Sequence, residues 1–129
     1  MSHLAKRPLP PAPVLDADLV ESVAELSQAF ATPSRIRILV RLWQEPASVS
    51  VIAEATEMEQ SAVSHQLRLL RHLDLVRATR DGRTIVYSLR DDHVAIMLNE
   101  AIYHVEHLRL EVSPPDGDPS RWQDRRPAR

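Results

Sequence analysis

Only one stretch of this chain alternates in the manner of β-structure, and the pattern on both sides of it is helical. Runs 75–79 and 83–89 are rich in β-forming residues, and Ile85, Tyr87 and Leu89 alternate with polar or smaller neighbours. They are joined around Asp81-Gly82, a pair that tolerates the backbone of a tight hairpin turn. A chain with a single hairpin must bury its apolar side chains mainly between helices. The expected class is mainly α with a small β-hairpin.

The helices can be placed from their punctuation. From 18 to 31, Leu19, Val23, Leu26 and Phe30 recur at helical spacing. Thr32-Pro33 then restarts the chain, as a capping Thr before Pro at the first helical position. The second helix is expected to run to about 44, with Ile36, Leu39, Val40 and Trp43 inward, and Pro46 closes it. A short helix at about 50–56 carries Val51, Ile52 and Ala55. A fourth, at about 60–73, turns Val63, Leu67 and Leu70 inward. A last helix follows at about 92–110. A short helix, a tight turn, a second helix and then a hairpin make a winged helix-turn-helix.

The chain has 129 residues, which suits one such domain over 16–111. Residues 1–15 hold Pro8, Pro10, Pro11 and Pro13 and read as a disordered arm. Residues 112–129, with Pro114, Pro115, Gly117 and Pro119, read as a disordered tail. Neither a membrane-length apolar run nor a signal-peptide pattern is present, so a cytoplasmic protein is expected. The absence of cysteine excludes disulfides, thiolate metal ligands and a cysteine nucleophile. With no H-E-x-x-H and no phosphate-cradling Gly-rich loop either, an enzyme is not expected.

The net charge is -2, but its distribution is uneven. Between 61 and 90 stand Arg68, Arg71, Arg77, Arg80, Arg83 and Arg90 against Asp74 and Asp81. Between 91 and 111 stand Asp91, Asp92, Glu100, Glu106 and Glu111 against Arg109. Taken alone, these are ordinary solvated charges. Taken with the element order, they place a polyanion on one face and a cation on another.

The expected polyanion is double-stranded operator DNA. The fourth helix opens with Ser61, Ser64, His65, Gln66 and Arg68, and Ser61, Ser64, His65 and Arg68 share the face opposite Val63, Leu67 and Leu70. A helix so built enters the major groove by its first turns. Gln66 and Arg68 suit base edges, whereas Ser61 and Ser64 suit phosphates. Arg80 and Arg83 at the wing tip reach a flanking groove or the backbone.

The runs Ala31-Thr32-Pro33-Ser34-Arg35-Ile36-Arg37-Ile38-Leu39, Gln60 to Leu67, and Asp81-Gly82-Arg83 with Val86-Tyr87-Ser88-Leu89 resemble the ArsR/SmtB family of metal-sensing repressors. The resemblance covers about 16–111. It implies a homodimer that represses when metal-free and releases DNA when metal binds. Glu57 departs from it, standing at a turn where the family usually has Gly.

The cation site falls on the last helix. His93 and His104 are eleven residues apart, on nearly the same helical face, and His107 is one turn further. At about 1.5 Å per residue, His93 and His104 are roughly 16 Å apart along the axis, too far to share one ion. Two such helices packed antiparallel about a twofold axis remove the difficulty. Asp91 and His93 of one subunit then meet His104 and His107 of the other, giving two equivalent sites and a homodimer through the terminal helices. Asp92 is expected to cap the helix. This spacing matches the family subgroup that binds metal on the C-terminal helix. Ser48-Val49-Ser50-Val51 occupies the stretch where other members carry a Cys-rich site, which argues against an arsenic, cadmium or lead sensor.

Four N/O donors in a tetrahedron suit zinc. Nickel and cobalt favour more ligands, and the N-terminal arm offers His3 and, once Met1 is removed, the Ser2 amine. The segment Ala101 to Leu108, with Met58-Glu59-Gln60, is similar to nickel- and cobalt-sensing members of the family. That similarity implies a nickel or cobalt effector, with zinc as the alternative. A winged repressor with a non-metal effector also fits the residues.

Overall fold

A computed structural model of the chain describes residues 8–112. His3 with the rest of residues 1–7, and the tail beyond 112, lie outside the described residues. The elements are α1 (Ala17–Ser27), a 3-10 turn (Gln28–Phe30), α2 (Pro33–Gln44), β1 (Ala47–Ser48), α3 (Val49–Thr56), α4 (Gln60–His72), β2 (Val76–Asp81), β3 (Thr84–Leu89) and α5 (Asp92–Val112). Residues 8–16 carry no regular structure and are exposed. No helix among the described residues is long and apolar enough to cross a membrane.

Capping chemistry fixes the helix starts. The Asp16 carboxylate accepts from Leu19 N at 2.8 Å to open α1. The Thr32 hydroxyl accepts from Arg35 N at 3.4 Å, with Pro33 at the first helical position of α2, as expected from the sequence. Ser48 opens α3, its hydroxyl accepting from Val51 N at 3.4 Å. Two helix ends share a different device. Met58 N donates to Ala53 O and Glu57 N to Glu54 O; Leu75 N donates to Leu70 O and Asp74 N to Arg71 O. Each pair closes a Schellman motif, which requires a left-handed residue after the helix. Glu57 (φ 57°) and Asp74 (φ 58°) fill those places without being glycine. A Cβ in this region is unfavourable, and Asp is tolerated there better than Glu.

The core is apolar throughout. Ile38, Leu39 and Leu42 of α2, Ile52 of α3, and Val63, Leu67 and Leu70 of α4 are buried together with Ala29, Leu75, Val94 and Leu98. For α4 this is the inward face read from the sequence. For α2 the face is turned: Ile38 and Leu42 replace Ile36, Val40 and Trp43, and Trp43 is 40% exposed. Apolar residues occur nearly all round α2, so periodicity admits both faces and packing selects one. In α3, Val51 is exposed while Ile52 and Ala53 are buried. The first helix ends at Ser27, and a 3-10 turn inserts Ala29 into the core instead of continuing to 31.

The sheet has three antiparallel strands in the order β1-β3-β2, one more than the hairpin expected. Ala47 pairs with Tyr87 and Ser48 with Val86. Asp81 pairs with Thr84, so the two-residue turn is Gly82-Arg83 and not Asp81-Gly82. Gly82 takes φ +64°, the positive value needed at the first central position of such a turn. This puts Arg83 at the tip of the wing.

Candidate DNA face and metal-ligand helix

α4 carries the polar face. Val63, Leu67 and Leu70 anchor one side, which leaves Ser61, Ser64, His65 and Arg68 exposed on the other. Gln66 is placed differently. It is half-buried, and its Oε1 accepts from Arg35 Nη1 of α2 at 3.2 Å. The Glu59 side chain makes no capping bond at the start of α4, so its first-turn amides remain available to an acceptor outside the helix.

A cleft of ≈ 460 Å³ separates α4 from β3, lined by Ser64, Arg68, Arg71, His72 and Tyr87. Its charged side chains are basic or neutral, which suits a phosphate. Arg71, His72 and Tyr87 are not among the DNA contacts expected from the sequence. The signal for two of them was present: 64, 68, 71 and 72 recur at helical spacing. Tyr87 is brought there only by the pairing of β3 with β1 and β2. Arg80 and Arg83 are exposed on the hairpin, separate from the cleft. A larger groove of ≈ 690 Å³ lies between α2 and the end of α3 and contains none of these residues. Charge and placement, rather than volume, single out the candidate DNA face.

α5 carries the other set. Arg90 N donates to Leu75 O at 2.9 Å and holds the helix entrance at the root of the wing. The Asp91 carboxylate accepts from His93 N at 2.9 Å, so Asp91 and not Asp92 caps α5. The same Oδ1 lies 3.5 Å from His93 Nδ1, which brings Asp91 and His93 together as expected. The His93 side chain is 86% exposed. Three turns later, His104 and His107 follow on a helix that no longer touches its own core. His107 Nε2 lies 3.1 Å from Glu111 Oε1, and its ring stacks on Tyr103 with centroids 6.4 Å apart. A carboxylate on one ring nitrogen orients the imidazole and leaves the other as the available donor. The i, i+4 spacing of His107 and Glu111 was the sequence signal for that role.

Among the described residues of one subunit, no three metal-donor side chains converge. Val94 and Leu98 are buried, but Ile96, Ile102, Tyr103, Val105 and Leu108 are exposed by 39% or more. At 100° per residue, His93, His104 and His107 fall within about 60° of arc, flanked by Ile96 and Tyr103 on one side and Leu108 on the other. Glu100 and Glu111 share that arc, so the donors form a polar stripe bordered by exposed Ile96, Tyr103 and Leu108, while Ile102 and Val105 lie on the opposite side of the helix. Three imidazoles and a carboxylate are a suitable donor set for a divalent transition ion.

Residues 32–78 match the arsR family of bacterial regulatory proteins. The chain is 57% identical over 103 residues to the HTH-type transcriptional regulator NmtR of Mycobacterium tuberculosis, spanning 80% of this chain and 86% of that protein. It is 40% identical over 93 residues to the transcriptional repressor SmtB homolog of Synechocystis sp., spanning 72% and 70%. Among solved structures, the solution structure of apo-NmtR superposes with a TM-score of 0.64 at 53% identity, covering 92% of this chain and 98% of that one. The homodimeric winged helix-turn-helix domain of Mb0332 from Mycobacterium bovis superposes with a TM-score of 0.68 at 33% identity, covering 72% and 87%.

Proposed function

The chain belongs to the arsR family of bacterial regulatory proteins, and from that premise we propose that it is a homodimeric repressor whose hold on operator DNA is released by a transition-metal ion. The observation that carries this reading is the uncovered strip of α5. Four donors are dispersed along it at distances no single subunit can close, with Ile96, Tyr103 and Leu108 exposed beside them.

The DNA-bound form uses two copies of α4. Ser61, Ser64, His65 and Arg68 approach one major groove, and Arg80 and Arg83 follow the flanking backbone. Gln66 stands at the edge of that face. Two recognition helices must match half-sites about one turn apart, roughly 34–36 Å.

In the paired state, Asp91 and His93 come together with His104 and His107 of the partner subunit, and the twofold axis repeats the set. Glu111 orients His107, and Asp91 holds His93. When bound, the ion supplies a fixed link between opposite ends of the paired helices. The chain's own part is to make one dimer geometry compatible with that link and another with DNA. Nickel or cobalt is the proposed effector, with His3 and the N-terminal amine completing a larger coordination shell. Zinc on the four α5 donors is the alternative. The support for nickel or cobalt is the N/O-only donor set and the resemblance of the Ala101–Leu108 segment.

The test is a titration of the full chain with nickel, cobalt and zinc, alone and with operator DNA selected from a random duplex pool. Release at stoichiometric metal is expected, with His104→Ala abolishing it. DNA and metal must weaken each other by the same factor. A six-coordinate cobalt spectrum that turns tetrahedral on removing residues 1–13 supports the role of His3. A tetrahedral spectrum in the full chain assigns zinc. Release by none of the three metals leaves a winged repressor with a non-metal effector. Metal affinity falls as the solution is acidified, because protons compete for the same imidazoles and carboxylate.

A further inference from the structure

We propose that Arg35 is a positioning residue that joins the end of α1 to the recognition helix, and that Gln66 serves this bridge rather than reading a base. The inference rests on the dimer and DNA reading above.

The guanidinium has one arm on each element. Its Nη2 donates to the backbone carbonyl of Gln28 at 2.7 Å, where α1 gives way to the 3-10 turn. Its Nη1 donates to Oε1 of Gln66 at 3.2 Å, in the second turn of α4. The rigid planar fork sets the separation of its two acceptors, which a flexible ammonium does not. Nε of Arg35 is a buried side-chain atom without a hydrogen-bond partner. Burying an unsatisfied polar atom is unfavourable, so an apolar side chain would serve packing alone at least as well. The position is therefore better explained by geometry than by stability.

α1 gives that geometry something to transmit. No residue of α1 is buried in its own subunit, and Leu19, Val20 and Val23 are exposed by 41%, 47% and 51%. A helix so weakly held by its own core takes its orientation from what grips its ends. If a partner subunit covers Leu19, Val20 and Val23, the dimer interface connects through Gln28 and Arg35 to Gln66. The same bond draws Gln66 back towards α2, away from a base edge.

The chain has no cysteine, so Ala62→Cys provides a unique spin-label site on the exposed face of α4. The distance between the two labels in the dimer is the readout. A single narrow distribution is expected in this background. Arg35→Met and Gln66→Met should each shift or broaden it, and the double variant should do no more than either alone. Arg35→Lys should fail to restore it. Gln66→Met should also weaken all operators selected by the parent chain by a similar factor. An unchanged distance in both Met variants, or additive changes, overturns the bridge. So does a Gln66→Met variant that loses discrimination at one base pair. If Arg35→Met fails to fold, Gln66→Met alone decides. No dipolar signal in the parent background would instead sink the dimer reading.

Discussion

α4 and α5 begin alike and end differently. Each puts its first apolar residues into the common core, Val63 and Leu67 from α4, Val94 and Leu98 from α5. α4 continues to do so through Leu70 and stops at His72. α5 runs on to Val112, and from Asn99 to Glu111 no side chain is buried. The recognition helix is complete within one subunit, and only its polar face awaits a ligand. The last helix leaves Ile96, Ile102, Tyr103, Val105 and Leu108 uncovered within one subunit, and its histidines do not converge there. A pattern satisfied internally shows what stabilises the fold, and one left open shows where the fold is to be used.

This contrast can be broken by substitution, and the largest effect belongs to α4. Leu67 is 1% exposed, and Leu67→Ala should cost about 2–5 kcal/mol in urea unfolding through lost transfer energy and the cavity left behind. A cost under about 1 kcal/mol would mean α4 is not anchored as described. Leu108 of α5 is 42% exposed, and Leu108→Ala should barely alter unfolding of the isolated subunit. In a twofold interface it counts twice, at about 1.5 kcal/mol each, so Leu108→Ala should raise the dimer dissociation constant by roughly 100-fold. Sedimentation at graded concentrations measures this, and the variant is expected to dissociate more readily. A dimer unmoved by Leu108→Ala would place the interface elsewhere.

Smaller effects sharpen the comparison. Arg68→Ala combined with Arg83→Ala should lower operator affinity at least about tenfold and flatten its salt dependence, because two guanidinium charges leave the face. Metal affinity of the DNA-free dimer should not change. The smallest effect lies at the turn before α4. Glu57→Gly relieves a left-handed residue and should stabilise the chain by about 1 kcal/mol, read as a raised unfolding midpoint. Destabilisation there would show that the Glu57 side chain contributes more than its backbone costs.

Much of the fold was legible because local chemistry and packing agree. Thr32-Pro33 and the Val63, Leu67, Leu70 face read correctly, since each has one physical interpretation. α2 was misread because Ile36, Ile38, Leu39, Val40, Leu42 and Trp43 admit two faces. β1 is two residues long, too short for any period to register. It exists because Ala47 and Ser48 meet β3 in space. The polar face of α4 was legible as a set, but the cleft with Tyr87 was not, because sheet register assembles it. The α5 donors were legible only as a spacing. Within one subunit they do not converge, and a single chain, folded or unfolded, holds nothing about a shared site beyond that spacing.

Ser48 has one more consequence. Its backbone pairs with Val86 in the sheet while its hydroxyl caps α3. One residue is thus shared by two units that would otherwise open separately. Loosening the base of the hairpin must also fray the first turn of α3, and the reverse holds. Amide protons on both sides of Ser48 should therefore exchange with solvent as one cooperative block, while those near Gly82 exchange freely.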